Sequence, residues 1–149
     1  MDPLRGMTPP KLDEKVVHPL TEDEIKALVK ACRGTGFRDH RDEAIIRLML
    51  ETGMRAGECV ALQVGDVDWI QGKVTVVRGK GGRGRVIAFG PHTSKAGLAY
   101  MRKARAGHKL ARTSQQLWLG ENSRLLGYSG LWQMMNVRAE QAGIGKLHP

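Results

Sequence analysis

Aromatic residues and cysteines are both scarce in this chain. Aromatic side chains make up 5% of the residues, which argues against a surface that stacks the bases of single-stranded nucleic acid. The two cysteines, Cys32 and Cys59, lie far apart in the sequence, and neither belongs to a CxxC motif or a Cys/His cluster. We therefore predict two buried free thiols rather than a disulfide or a metal site, and we expect neither a metal nor a cofactor.

Long apolar stretches are also missing. No run approaches the roughly 20 residues that span a bilayer, and the N-terminal MDPLRGMTPP has no apolar signal-peptide core. We therefore predict a cytoplasmic protein with no membrane partner. The length of 149 residues suits one domain. Residues 1–19, punctuated by four prolines and lacking periodicity, are predicted to be a linker or disordered N-terminus, and residues 20–149 the domain.

Acidic residues are absent from the forty residues between Lys73 and Arg112, which hold eleven of the 24 lysines and arginines. The rest of the chain carries thirteen basic and fifteen acidic side chains, so the net charge of +9 comes from this one stretch. Such a stretch attracts a polyanion by steering and counterion release. The alternatives are a solvated basic face and a patch for acidic lipid, but no amphipathic basic helix with aromatic anchors favours a membrane. We predict nucleic acid as the partner.

Capping signals and apolar periodicity predict a helical first half. Thr21 and Glu24 form a capping box, and apolar residues follow at helical spacing. Gly53 is suited to the C-cap of a second helix. The buried face of that helix is predicted to comprise Ala44, Ile45, Leu48, Met49 and Thr52. The three predicted helices run from Thr21 to near Gly34, from Asp39 or His40 to Gly53, and from Arg55 to Gln63.

After the third helix the apolar period changes from that of helices to that of strands. Three strands are predicted at Val67–Ile70, Lys73–Arg78 and Arg85–Phe89. A tight Gln71-Gly72 turn joins the first two, and a glycine-rich loop joins the second and third. These signals predict an antiparallel three-stranded meander.

Two more helices are predicted beyond the strands. One begins at Thr93 or Ser94 and runs to about Ala106, and the last is capped by Ser129. The buried face of the last helix is predicted to comprise Trp132, Met135, Ala139 and Ala142. The predicted fold class is therefore α+β: a mostly helical single domain with a small three-stranded antiparallel sheet.

The loop Gly79-Lys80-Gly81-Gly82-Arg83-Gly84 satisfies GxGxxG, a pattern shared by several nucleotide-binding loops. A dinucleotide site needs a helix after the glycines, whereas β-branched residues flank this loop on both sides. A kinase needs its HRD motif after the loop, whereas here it comes before, at residues 40–42. These exclusions leave a hairpin tip with basic side chains. Its glycines could let the backbone approach a partner closely, or the tip could be a flexible turn without a partner.

Three segments together resemble the catalytic domain of tyrosine recombinases of the phage-integrase type. Thr52-Gly53-Met54-Arg55-Ala56-Gly57-Glu58 resembles that family's first box, TGxRxxE. The segment Gly79-Lys80-Gly81-Gly82-Arg83-Gly84-Arg85 resembles its hairpin motif GKGxKxR, and His148-Pro149 the start of its second box, HPHxLRH. The resemblance covers roughly residues 19–149 and implies the N-terminal half of that catalytic domain.

The resemblance implies roles for individual residues in metal-free cleavage of double-stranded DNA by a tyrosine hydroxyl. Arg55 would hold the non-bridging phosphate oxygens bidentately, and Lys80 would protonate the leaving oxygen. Glu58 would orient Arg55 or tie its helix to neighbours. Phosphate contacts that position DNA without reading its sequence are expected from Arg78, Arg83 and Arg85.

The family's second histidine, second arginine and tyrosine nucleophile would all lie beyond Pro149, since His148 matches only the first histidine of the second box. We assign Tyr100 and Tyr128 to packing and predict that this chain alone does not cleave DNA. A missing helical segment would leave apolar surface exposed, from Ile45, Leu48 or Trp132, and a homodimer could bury it.

The sequence is also compatible with two other functions. The chain could be a non-catalytic DNA-binding module that modulates an intact recombinase. It could also be an unrelated basic α/β binding protein whose motif match is accidental. Steeply salt-dependent binding to duplex DNA would favour the recombinase and modulator readings over the unrelated protein.

Overall fold

A computed structural model describes residues 20–78, 83–145 and 147, and at Arg78 and Arg83 it describes the backbone alone. The chain forms α1 (Glu22–Lys30), α2 (Phe37–Thr52), α3 (Ala56–Val60), β1 (Val67–Asp68), β2 (Lys73–Arg78), β3 (Arg83–Ala88), α4 (Pro91–Ala99) and α5 (Tyr128–Gln141). The predicted fold class, mostly helical with a three-stranded antiparallel sheet, is confirmed. The predicted linker 1–19, the loop tip 79–82 and the pair His148-Pro149 lie outside the described residues.

The sheet is an antiparallel meander in the order β1-β2-β3. In its register Val74 lies opposite both Val67 and Ile87, and Val76 lies opposite Arg85. The first strand is shorter than the predicted Val67–Ile70, because the Asp68 carboxylate accepts hydrogen bonds from the two amides that follow Trp69, at 3.0 and 2.9 Å. These bonds turn the chain before a longer strand can form.

The helix boundaries follow local caps. The Thr21–Glu24 capping box is confirmed, with Thr21 Oγ1 accepting from the Glu24 N–H at 3.1 Å and Glu24 Oε1 from the Thr21 N–H at 2.9 Å. Helix α2 begins at Phe37, before the predicted Asp39 or His40, because the Asp39 carboxylate accepts the Gly36 N–H at 3.1 Å. Gly53 ends α2 in the left-handed conformation, with φ 69°, as predicted.

The predicted starts of the last two helices are wrong. The N-cap of α4 is Gly90 rather than Thr93 or Ser94, and the Thr93 hydroxyl instead donates to Glu51 Oε1 at 2.7 Å. The N-cap of α5 is Gly127, so Ser129 lies within the first turn of that helix. Glycine takes the cap position in both places, and at α4 the Gly90 N–H donates to the distant Glu51 carboxylate at 2.7 Å.

The core is built around two buried aromatic side chains, Tyr100 and Trp118, whose ring centroids lie 5.1 Å apart. Tyr100 begins a π-helical turn, Tyr100–Ala104, that follows α4 directly. Its hydroxyl donates to the Leu117 carbonyl at 2.7 Å and accepts from the Leu119 N–H at 3.1 Å. Burial raises the pKa of this phenol to about 12. The prediction that Tyr100 packs in the core is confirmed.

The predicted exposed apolar face is wrong. Ile45 and Leu48 are fully buried and Trp132 is 7% exposed, because α2 packs against α4, the π-helical turn and α5. Tyr128, expected to pack, is instead 36% exposed at the start of α5. Among the described residues, the large apolar side chains that reach the surface are Ile70, Val77, Val86, Leu125, Tyr128 and Val137. The homodimer stays a prediction, but the exposed apolar face from which it was inferred is buried in this structure.

Both cysteines are buried free thiols, as predicted. Burial raises the pKa of Cys32 and of Cys59 to about 12. Because the thiolate is the reactive form, both side chains should be inert near neutral pH.

A buried ion network joins three helices. Asp42, on α2, accepts from Arg41 Nε and from Arg138 Nε, each at 2.9 Å. Arg138, on α5, also donates to Asp39 Oδ1 at 3.0 Å and to the carbonyl of Ala31, after α1, at 2.7 Å. The two arginines are 5% and 6% exposed and Asp42 is 2% exposed. The network fixes the relative positions of α1, α2 and α5.

Gly97 lies in α4 against the indole ring of Trp69. A β-carbon at residue 97 would approach Trp69 Cε3 to 2.1 Å, and that ring is held by Phe89 and Trp118. We expect Gly97→Ala to lower the free energy of unfolding by about 1–3 kcal/mol, because the core must shift to admit one methyl group. Urea denaturation measures the change. The matched control is Gly57→Ala in α3, where a β-carbon meets nothing within 4 Å, and equal effects of the two variants would contradict the steric reason.

Candidate functional site

The position of Arg55 is set by the end of α2 and the start of α3. Gly53 turns the chain out of α2, Met54 is buried at 1% exposure, and Arg55 is the N-cap of α3. The Arg55 N–H donates to Glu58 Oε1 at 2.9 Å, which is the half of a capping box that an N3 carboxylate supplies. The Arg-x-x-Glu spacing therefore has a local structural cause, and Arg55 itself is exposed.

Glu58 also binds the sheet. Arg85 Nη1 donates to Glu58 Oε2 and Arg85 Nη2 to Glu58 Oε1, both at 3.1 Å, so the guanidinium and the carboxylate form a bidentate pair. Partial burial acts to raise the pKa of Glu58, but the hydrogen bonds from Arg85 and from the Arg55 N–H, with the charges of both arginines, outweigh it and hold the pKa below its usual value. Glu58 thus stays ionised and connects α3 to β3.

Lys80 belongs to the loop tip 79–82, which is outside the described residues. The backbones of Arg78 and Arg83 pair with each other as the last residues of β2 and the first of β3. The Glu58–Arg85 pair therefore fixes the hairpin that carries Lys80 against the helix that begins after Arg55. That Arg55 and Lys80 act on the same phosphate stays a prediction, as do the phosphate contacts of Arg78, Arg83 and Arg85.

The basic stretch from Lys73 to Arg112 does not form one surface. Arg105 is 5% exposed and its guanidinium donates to backbone carbonyls, while Arg85 faces Glu58. Three further cations, Lys95, Arg102 and Lys103, line a groove beside Trp69 and Phe89, next to the β1–β2 turn at the other end of the strands from the glycine loop. The sequence gives the charge of this stretch, but its distribution over surfaces depends on the fold.

Sequence reasoning missed the contact between Glu58 and Arg85. The two residues are 27 positions apart, and their pairing depends on the strand register that places Arg85 opposite Val76 and beside α3. The signal that could have indicated it is the alternation of β3, in which Arg85 lies on the same face as the partly buried Ile87 and opposite to Val86, which is 64% exposed.

Residues 20–78, 83–145 and 147 also bear on two other kinds of site, a metal site and a membrane-spanning helix. Within these ranges no group of three or more His, Cys, Asp or Glu side chains could hold a metal ion. Within the same ranges no helix has the length and apolar character needed to cross a bilayer.

A helical domain with a three-stranded antiparallel meander is the architecture of the tyrosine-recombinase catalytic domain, and here an Arg-x-x-Glu helix is paired to its hairpin. The model of the phage integrase family matches residues 18–149. The chain therefore belongs to the phage integrase family.

Two curated relatives agree with this assignment. Tyrosine recombinase XerD of Neisseria meningitidis serogroup A is 30% identical over 148 residues, which are 99% of this chain and 50% of that protein. Tyrosine recombinase XerC of Roseiflexus sp. is 31% identical over 153 residues, covering 99% of this chain and 48% of that protein. The chain spans about half the length of the curated relatives it matches.

Solved structures share the fold. The crystal structure of XerA recombinase superposes with a TM-score of 0.76 at 28% identity, over 94% of this chain and 48% of that one. XerH site-specific recombinase, solved in a pre-cleavage complex with its difH substrate, superposes with a TM-score of 0.69 at 18% identity, over 88% of this chain and 38% of that one.

Proposed function

We propose that this chain is the DNA-contacting N-terminal half of a tyrosine-recombinase catalytic domain and binds double-stranded DNA through its phosphates. In this proposal Arg55 holds the phosphate that is attacked, and Lys80 protonates the leaving oxygen. Glu58 fixes the backbone at Arg55, and the remaining hairpin arginines, Arg78 and Arg83, add contacts that position the duplex.

The observation that carries the proposal is the placement of Arg55. It is an exposed arginine whose own backbone N–H is held by Glu58, and Glu58 is bound in turn to the basic hairpin. A guanidinium on a fixed backbone position can meet two phosphate oxygens in its fork geometry, which a lysine ammonium cannot do. XerH site-specific recombinase, solved with its difH substrate bound, has this fold, and the basic hairpin makes duplex DNA the partner to test here.

We further propose that this chain alone does not cleave a DNA strand. Tyr100 is unsuited to attack a phosphate, because its hydroxyl is buried and bonded to Leu117 and Leu119, and burial raises its pKa to about 12. Tyr128 is exposed and is therefore the tyrosine to exclude by experiment. A nicked duplex that traps covalent protein–DNA adducts should yield none, and an adduct that Tyr128→Phe abolishes would overturn the proposal of inactivity.

Arg55→Ala tests the phosphate contact directly. Each neutralised phosphate contributes a slope of about −0.9 to the dependence of log affinity on log salt concentration. We expect the variant to weaken duplex binding about tenfold and to reduce that slope by about one unit. Fluorescence anisotropy with a labelled duplex over a salt series measures both quantities.

The control for Arg55→Ala is Arg33→Ala, which removes an equal charge from an exposed position between α1 and α2. Apart from the general effect of lowering the net charge by one, Arg33→Ala should leave both the duplex affinity and the salt slope unchanged. Binding that is absent or independent of salt in the unmodified chain, or equal effects of the two variants, would reject the proposed function.

A further inference from the structure

The Glu58 carboxylate uses both of its oxygens to join two elements. Oε1 accepts from the Arg55 N–H at 2.9 Å and from Arg85 Nη2 at 3.1 Å, while Oε2 accepts from Arg85 Nη1 at 3.1 Å. A continuous chain of hydrogen bonds therefore runs from β3 through Glu58 to the backbone of Arg55. The side chain of Glu58 is 11% exposed and that of Arg85 is 41% exposed, so water reaches the guanidinium more readily than the carboxylate.

The geometry of Arg85 favours this contact over a contact with DNA. The edge of the guanidinium formed by Nη1 and Nη2 faces the carboxylate, and the same planar edge is one that would grip a phosphate bidentately. Releasing it would break both guanidinium hydrogen bonds of a carboxylate whose side chain is only 11% exposed, which is costly. Arg85 also lies on the strand face of the partly buried Ile87 rather than on that of the exposed Val86.

We propose that Arg85 is a positioning residue, which through Glu58 holds Arg55 and the β2–β3 hairpin in a fixed relative position, and that it does not itself contact a phosphate. The proposal rests on the proposed function and revises one expectation from the sequence, that Arg85 binds a DNA phosphate. Helix α3 also packs against β2, and the Glu58–Arg85 pair adds the polar contact that ties the hairpin to the backbone of Arg55 itself, where a phosphate-binding guanidinium needs a fixed position.

The first test uses the sign of the charge change. Arg85→Gln removes a positive charge and Glu58→Gln removes a negative one, so a purely electrostatic effect on DNA affinity would weaken binding in the first and tighten it in the second. Positioning predicts that both variants weaken duplex binding, by about fivefold, and that the double variant is no weaker than either. It also predicts the same salt slope for Arg85→Gln as for Glu58→Gln, because both act through Arg55. A slope for Arg85→Gln that is smaller by about one unit than that of Glu58→Gln, or tighter binding by Glu58→Gln, would overturn the proposal.

The second test needs no DNA and separates this proposal from the proposed function. The Arg55 amide is protected by Glu58, so its hydrogen exchange, followed by NMR in the free chain, reports whether Glu58 is held in place. We expect Arg85→Gln to accelerate this exchange although Arg85 does not touch the amide. Unchanged exchange would overturn the positioning role even if DNA binding is intact, whereas absent DNA binding with accelerated exchange would reject the proposed function alone.

The chain contains a matched control pair. Arg38 and Glu121 form a second bidentate arginine–carboxylate pair, which is 62% and 41% exposed in its side chains. Arg38→Gln and Glu121→Gln make the same chemical changes away from α3. They should leave the exchange of the Arg55 amide unchanged, which excludes a general loosening of the fold as the cause.

Discussion

Asp42→Ala is expected to lower the free energy of unfolding by about 3–5 kcal/mol, because it leaves two buried guanidinium groups without their shared carboxylate. Asp42 is 2% exposed and accepts from both Arg41 and Arg138, which are 5% and 6% exposed. Arg138 keeps Asp39 and the Ala31 carbonyl, and Arg41 keeps the Leu119 carbonyl at 3.2 Å. These contacts cannot neutralise two charges in place of Asp42.

The neighbouring residue supplies the control for this prediction. Glu43→Ala removes the same charge from the next position of α2, where Glu43 pairs with Arg47 at 27–30% exposure, and such a pair contributes about 0.5 kcal/mol. Urea denaturation followed by circular dichroism compares the two variants. If Asp42→Ala does not fold, Asp42→Asn, which keeps one acceptor, gives a measurable intermediate loss. Losses within 1 kcal/mol of each other for Asp42→Ala and Glu43→Ala would reject the special role of the buried network.

Elements whose boundaries depend on neighbouring residues could be predicted from the sequence. The capping box at Thr21 and the left-handed Gly53 were both read correctly, because a cap needs only residues within three or four positions. The meander was predicted for a similar reason, since its strands follow one another through short connections. Ser129 shows the limit of such reasoning. A hydroxyl close to a helix start is a good cap, but here Gly127 is the cap and α5 begins at Tyr128.

Contacts across the fold could not be predicted in this way. Arg138 and Asp42 are 96 positions apart, and an arginine in an otherwise amphipathic segment is normally read as a surface residue. The prediction that Ile45 and Leu48 would be exposed failed because it assumed that α2 would lack cover. Instead α4 and α5 supply it within this chain.

The candidate site was predicted in part. The Arg-x-x-Glu motif indicated that Arg55 and Glu58 belong together, and the structure gives this a physical cause in the hydrogen bond from the Arg55 N–H to Glu58. The pairing of Glu58 with Arg85 depends on strand register and on the packing of α3 against the sheet, neither of which the motif encodes. A catalytic role for Lys80 stays a prediction from the motif.

Arg105→Met is expected to lower the free energy of unfolding by about 3 kcal/mol, since it removes one guanidinium that organises a whole loop. Arg105 is 5% exposed and donates to the carbonyls of Leu117, Ala111, Ser114 and Gln116 at 2.7–3.3 Å. Among the described residues no carboxylate pairs with it, so the carbonyl oxygens alone compensate its burial. Methionine fills similar space but donates no hydrogen bond. The Leu117 carbonyl keeps the Tyr100 hydroxyl, while a buried carbonyl left unsatisfied costs about 1–3 kcal/mol.

Arg102→Met separates this loop contact from the loss of a basic charge. Arg102 lies three residues earlier, is exposed, and belongs to the same basic stretch, so the two variants have the same net charge. Its replacement should change the free energy of unfolding by about 0.5 kcal/mol or less. Amide exchange across residues 111–117 should accelerate in Arg105→Met and not in Arg102→Met, because the loop backbone loses its common donor only in the first. Equal stability of the two variants would show that the loop holds its conformation without Arg105.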